Sequence, residues 1–168
     1  MEIYALPIKM LREEAIEIAT QGKGSILRKL FLLNKKVEEV RIHYIEFKLI
    51  NLEIKNKNKH NNIKILINGS TGSGSLVQDM PVAEQIEIID ENSIQCCDKD
   101  DKMIRLKAIK MAMRISHRFM GGIPEIKISK IESIFRPYWV VFFDKVQENK
   151  KVKYLPIEAD GFSINRGF

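Results

Sequence analysis

The chain reads as an α+β protein made of two repeated units, each a helix laid on an antiparallel β-sheet. Three observations predict this. Residues 36–49, KVEEVRIHYIEFKL, lie beside residues 127–140, KISKIESIFRPYWV, without a gap. Val37 then stands opposite Ile128, Val40 opposite Ile131, Tyr44 opposite Phe135, Phe47 opposite Tyr138 and Leu49 opposite Val140. Each stretch follows a helical segment. Each is followed, after a polar stretch, by a second apolar run ending in a glycine turn, IKILINGSTG at 63–72 and VKYLPIEADG at 152–161. Self-similarity of this size implies two copies of one supersecondary unit. The most polar stretch between the copies, CCDKDDK at 96–102, sets the boundary, so residues 1–95 form the first unit and 96–168 the second.

In order along the chain, residues 8–21 predict a helix, with Leu11, Ala15, Ile18 and Ala19 on one face at spacings of three and four. Gly22 and Gly24 break it, and Ser25 is placed to cap a second, shorter helix, ILRKLFLLN. Residues 39–54 predict a strand. His43, Ile45, Phe47 and Leu49 alternate with Tyr44, Glu46 and Lys48, which marks a half-buried strand with one wet face around Glu46 and Lys48. Residues 63–68 resume as strand, NGSTGSG turns, and Ser75 to Gln78 extend again. Residues 84–95 read as a short strand, a turn and a linker.

The second unit opens with an amphipathic helix over 103–120. Leu106, Ile109, Met113 and Met120 are expected to face the core, with Ala112, Ser116 and Phe119 beside them. Lys107, Lys110, Arg114, His117 and Arg118 fall on the other face. Gly121-Gly122 stops the helix and Pro124 prevents its return. Residues 125–146 predict a strand interrupted by Pro137, which has no N–H for a ladder and so marks an edge, a strand start or a bulge. Residues 151–157 pair with it. From Phe135 to Phe143 both faces are apolar or aromatic, so this strand needs cover on both sides.

Composition excludes several classes. The chain has 168 residues, 45% apolar and 30% charged, which suits a folded protein with a core of its own. Net charge is +6 and the pI is near 9.3, a balance that favours nucleic acid, acidic proteins or anionic surfaces as partners. Cys96 and Cys97 are adjacent, and neighbouring Cα atoms sit too close for ordinary disulfide geometry. Two reduced thiols and a cytoplasmic location are therefore expected. The opening residues lack the basic and apolar regions of a signal peptide, and no apolar run reaches the length of a membrane span.

No catalytic signature occurs. GxSxG, HExxH and CxxC are absent, and no cysteine or histidine pair has zinc spacing, so neither a metal nor a cofactor is expected. The loop NGSTGSGS at 68–75 places Gly69 and Gly74 at phosphate-loop separation. Ser75 stands where that motif requires lysine and Leu76 where it requires a hydroxyl, so a hairpin turn is the better reading. His43, His60 and His117 are isolated in sequence. Two groups remain as candidate binding residues. Tyr138, Trp139 and Phe142 have the character of a protein-contact anchor. Lys107, Lys110, Arg114, His117 and Arg118 are placed to track phosphates or an acidic partner.

A helix followed by an antiparallel hairpin, with the strand PYW at 137–139, the strand VKYLPI at 152–157 and the turn ADG at 159–161, resembles PepSY-like modules. The resemblance covers both halves and is best from Ile104 to Phe168. It implies small helix-on-sheet units in tandem that act by binding rather than catalysis. Many such proteins are exported or membrane-anchored, and this chain departs from them in lacking an export signal. The expected function is a non-catalytic intracellular adaptor or assembly subunit. It would bind a protein or itself through the sheet around Tyr138 and Trp139, with no small-molecule substrate. The alternatives are an RNA- or DNA-binding module using the helix at 106–119, and an enzyme with dispersed residues.

Overall fold

The computed structural model describes residues 1–21, 36–56, 59–119, 123–147 and 151–162. Two helices and a mixed sheet of eight strands organise them, so the α+β class is the one observed. The first half holds β1 (Glu2–Ala5), α1 (Arg12–Gln21), β2 (Glu39–Asn56), β3 (Lys59–Asn68), β4 (Gly74–Val77), β5 (Glu84–Glu87) and β6 (Ile94–Gln95). The second holds α2 (Asp101–Phe119), β7 (Glu125–Phe142) and β8 (Tyr154–Glu158). The short helix expected after Ser25, the Met120 side chain and the end of the chain after Phe162 lie outside the described residues.

The strand order is β4-β3-β2-β7-β1-β5, with β6 beside β2 and β8 beside β7. Its axis is the antiparallel pair of β2 and β7, each 18 residues long, which runs from Glu39 opposite Phe142 to Lys55 opposite Glu125. One irregularity falls between Asn51 and Leu52, which oppose Lys130 and Ile128, so Ser129 opposes no residue. Its hydroxyl donates to the Asn51 carbonyl at 3.1 Å, which satisfies a bulge of this kind locally.

Pro137 sits in mid-strand for a definite reason. Leu6 N–H donates to the Phe135 carbonyl and Ala159 N–H to the Pro137 carbonyl, so the backbone groups of Phe135 and Pro137 point away from β2. The missing N–H of Pro137 therefore faces the gap where β1 ends and β8 begins, since β1 pairs at Phe135 and β8 from Tyr138 onward. No ladder bond is lost there.

Alternation along β2 sends Val40, Ile50, Leu52 and Ile54 to one face and Ile45, Phe47 and Leu49 to the other. The first face carries both helices, at opposite ends. Near the start of β2, Ala15 and Ala19 of α1 pack on Val40, Val141, Leu155 and Ile157. Near its end, Ile104, Ala108, Met111 and Ala112 of α2 pack on Ile50, Leu52, Ile54, Ile65 and Ile67. Alanines at the contact let each helix axis approach the sheet closely. Leu11 immediately precedes helix α1 and its N–H donates to Glu14 Oε2 at 2.7 Å, so Leu11 caps the helix and stays exposed instead of facing the core.

The opposite face buries Phe47, Leu49, Leu66, Val77, Ile134, Tyr138 and Val140 with Leu6. Arg136 lies fully buried in this layer. Its guanidinium donates to both carboxylate oxygens of Asp160, at 2.6 and 2.9 Å, and to the Phe162 carbonyl at 2.8 Å. The rings of Phe47, Tyr138 and Phe162 surround it at 5.4, 5.8 and 5.5 Å. Burial alone would push the Arg136 pKa down. The hydrogen bonds and charge of Asp160, with Tyr138 and Glu158, more than offset this and hold it above its ordinary value.

Two further expectations about faces are corrected. Glu46 is not solvated: it is only 7% exposed, under the segment that carries Cys97. Its carboxylate accepts from Lys48 Nζ at 2.6 Å and from the Cys97 N–H at 2.7 Å, and these bonds make burial tolerable. In α2 the buried stripe is Ile104, Ala108, Met111, Ala112 and Ile115, whereas Leu106 and Met113 remain 49% and 41% exposed. At 100° per residue Ile104, Ala108, Met111, Ala112 and Ile115 fall on one face, whereas Leu106 and Met113 fall on the opposite one. No helix among the described residues is long and apolar enough to cross a membrane.

Candidate functional site

Helix α2 carries its cations beside its core face as well as opposite it. At 100° per residue, Lys107, Arg114 and Arg118 line up along one flank of the buried stripe, adjacent to Met111 and Ile115. The first turn is set by an Asp101–Arg105 pair at 2.6 Å. His117 and Arg118 lie in the last turn, where the helix dipole favours positive charge.

That flank faces the turn between β3 and β4. The turn is built by Asn68, whose side-chain oxygen accepts from the N–H groups of Ser70 and Thr71, both at 2.9 Å. Gly72 takes a left-handed conformation, φ +70°, and a Thr71–Ser73 hydroxyl contact of 2.8 Å closes the tip. Gly74 then passes directly against the helix. A Cβ built there would lie 2.5 Å from Met111 Sδ, so a larger residue would require the Met111 side chain to shift.

Between turn and helix lies a cavity of about 200 Å³. Its apolar lining is Met111 and Ile115, both buried. Its charged lining is Lys107, Arg114 and Arg118, all exposed, and Ser73 and Gly74 complete it. None of the seven lining residues is acidic. A concave site with three cations, a hydroxyl and an apolar surface favours an anionic group joined to an apolar body.

Of the five basic residues singled out in the sequence, Lys107, Arg114 and Arg118 meet at this cavity. Lys110 and His117 are exposed on the helix outside its lining. Ser73, Gly74, Met111 and Ile115 were not foreseen as site residues. The glycine-serine composition of the turn was the one available signal. The aromatic candidates lie elsewhere. Tyr138 is 8% exposed, within the layer around Arg136. Trp139 is half-buried and its indole N–H donates to the Met10 carbonyl at 2.9 Å. Phe142 is half-buried between His43 and Tyr154, with ring centroids 6.5 and 6.0 Å away.

The histidines do not converge. His60 and His117 are exposed. His43 is half-buried; burial, aided by the nearby charge of Arg41 and opposed by that of Asp90, holds its pKa below the ordinary value. Cys96 and Cys97 are both free thiols. Among the described residues no group of three or more His, Cys, Asp or Glu is placed to hold a metal ion. No family model, curated protein or solved structure matches this chain.

Proposed function

We propose that this protein is a non-catalytic nucleic-acid-binding protein whose contact surface is the flank of α2 facing the β3–β4 turn. The observation that carries the reading is the convergence of Lys107, Arg114 and Arg118 on one cavity with Ser73 and Gly74. A net charge of +6 supports it, because a long-range positive field speeds encounter with a polyanion. Lys110 extends the positive surface along the same helix.

Fluorescence anisotropy with labelled oligonucleotides tests this. Three phosphate contacts on a single strand give a salt slope of about −2, so raising salt from about 50 to 200 mM weakens binding about 15- to 20-fold. Substituting Lys107→Glu and Arg114→Glu together is expected to abolish the salt-dependent part. No binding at low salt, or binding indifferent to salt, overturns the reading.

A second reading, the adaptor or assembly subunit, draws on a different observation. Met103, Leu106 and Met113 stand exposed on the outer side of α2, at 62, 49 and 41%. A row of this kind suits contact with another protein or a second copy of this chain. The same reading takes the chain as two PepSY-like units side by side. It is supported by the order helix, long strand, short strand, which occurs as α1, β2, β3 and again as α2, β7, β8.

A further inference from the structure

We infer that the cavity between α2 and the β3–β4 turn receives one unpaired nucleotide of a single-stranded nucleic acid, with its base on Met111 and Ile115 and its phosphate between Lys107 and Ser73. The inference rests on the nucleic-acid reading above and adds the form of the ligand. Three features carry it.

The cations do not point from a protruding ridge. Lys107, Arg114 and Arg118 lie on the flank beside the turn, and Gly74 brings that turn into contact with the Met111 side chain. A helix that reads duplex DNA must enter the major groove with its reading face unobstructed. Here the β3–β4 turn stands beside that flank along the middle of α2, which leaves a rigid duplex less room than a flexible strand. A flexible single strand can thread between them.

The cavity is also partly apolar. Met111 and Ile115 line it, so a group inserted there would leave water for contact with their hydrocarbon atoms. Inorganic phosphate gains nothing from such a surface, whereas a base presents an apolar face beside its phosphate. Arg114 and Arg118, one helical turn apart, add guanidinium planes of the kind on which bases stack.

Size supplies the third argument. At about 200 Å³ the cavity lies below the roughly 300–1,000 Å³ of ordinary ligand pockets. It suits one inserted ring rather than an acyl chain or two stacked bases.

The test uses the full chain and three probes: a labelled oligouridine, a blunt duplex of the same length, and uridine monophosphate as competitor. Two variants keep every charge and occupy the cavity, Ser73→Phe at its exposed rim and Gly74→Ala against Met111. Circular dichroism melting establishes that each variant is folded, and Ser73→Phe decides the matter should Gly74→Ala unfold. The oligouridine is expected to bind at least about tenfold more tightly than the duplex. Each variant should weaken oligouridine binding about fivefold or more, the loss of one stacked base. Competition by the monophosphate would assign the cavity to free nucleotides as well as strands, and its failure would assign it to strands. Oligouridine binding unchanged in Ser73→Phe, or a duplex bound as tightly as the strand, overturns the inference and leaves the nucleic-acid reading standing. Absence of any salt-dependent binding overturns both.

Discussion

Replacing Asp160 with alanine removes both carboxylate oxygens that hold the Arg136 guanidinium, at 2.6 and 2.9 Å, and leaves the cation in place. Both side chains are 0% exposed, so water cannot take over. Breaking a buried pair by deleting one partner costs about 3–5 kcal/mol, because the remaining charge stays desolvated. Glu158 stands 3.3 Å from the guanidinium, and the Phe162 carbonyl still accepts from it, so the lower end, about 3 kcal/mol, applies here. The loss also reaches the backbone, since the Phe162 N–H donates to Asp160 Oδ1. Urea unfolding followed by tryptophan fluorescence reads the effect. With a slope of about 2 kcal/mol per molar urea, the midpoint should fall by about 1.5 M. The double variant Arg136→Met, Asp160→Ala should lie closer to the wild type than Asp160→Ala alone, because it removes the stranded charge. A midpoint shift of Asp160→Ala under about 0.5 M, or a double variant less stable than the single one, would refute this account of the buried pair.

Gly69→Ala should destabilise the protein by about 1–3 kcal/mol, since a Cβ there would stand 2.7 Å from Cys97 Cβ and 2.8 Å from the Glu46 carbonyl, and neither backbone can yield cheaply. Thermal melting of this variant should show a clear loss, and an unchanged midpoint would mean that the two segments are not in such contact. Glu46 supplies a pH prediction. Burial pushes its carboxyl up, but hydrogen bonds from Lys48, the Cys97 N–H and Ser133, with the Lys48 charge, hold it below its ordinary value. A depressed folded pKa means that its stabilisation is complete above the ordinary glutamate value of about 4.3 and is lost as pH falls through the folded value. Denaturation midpoints of wild type and Glu46→Gln should therefore converge as the pH drops from neutral into the acid range, and a gap that stays constant with pH would contradict the assignment.

The class of the fold was legible because strand and helix periods differ. Alternation over residues 39–54 and the three-and-four spacing after Asp101 each admit one local solution. Pairing was less legible. The likeness of residues 36–49 to 127–140 marks two similar strands, but alternation specifies faces and says nothing of partners. It therefore did not indicate that β2 and β7 pair with each other along their length. Charge misled at Glu46, where solvation was inferred from residue type and a distant segment, 51 positions on, supplies the hydrogen bond instead. The apolar face of α2 was placed wrongly, because apolar residues occur on both sides of that helix: Leu106 and Met113 were expected inside, whereas Ile104, Ala108, Met111 and Ile115 are buried with Ala112. The cavity joins Ser73 and Gly74 to Lys107 and Arg114, positions that only tertiary packing brings together. Its cations were visible in the sequence; its concavity and apolar surface were not.

The long axis of the sheet also sets the order in which this chain can mature on the ribosome. Glu39 opens β2 and Glu125 opens β7, so the first strand emerges with the hairpin return of β3 available on one side and nothing for the other. At about 5–20 residues per second the missing neighbour arrives several seconds later. Throughout that delay a line of unpaired amides and carbonyls, flanked by Phe47, Leu49 and Ile50, is open to any passing β-prone polypeptide. Nascent copies of this protein should accordingly depend on chaperone shielding, or on rapid translation through residue 142, far more than the finished molecule does.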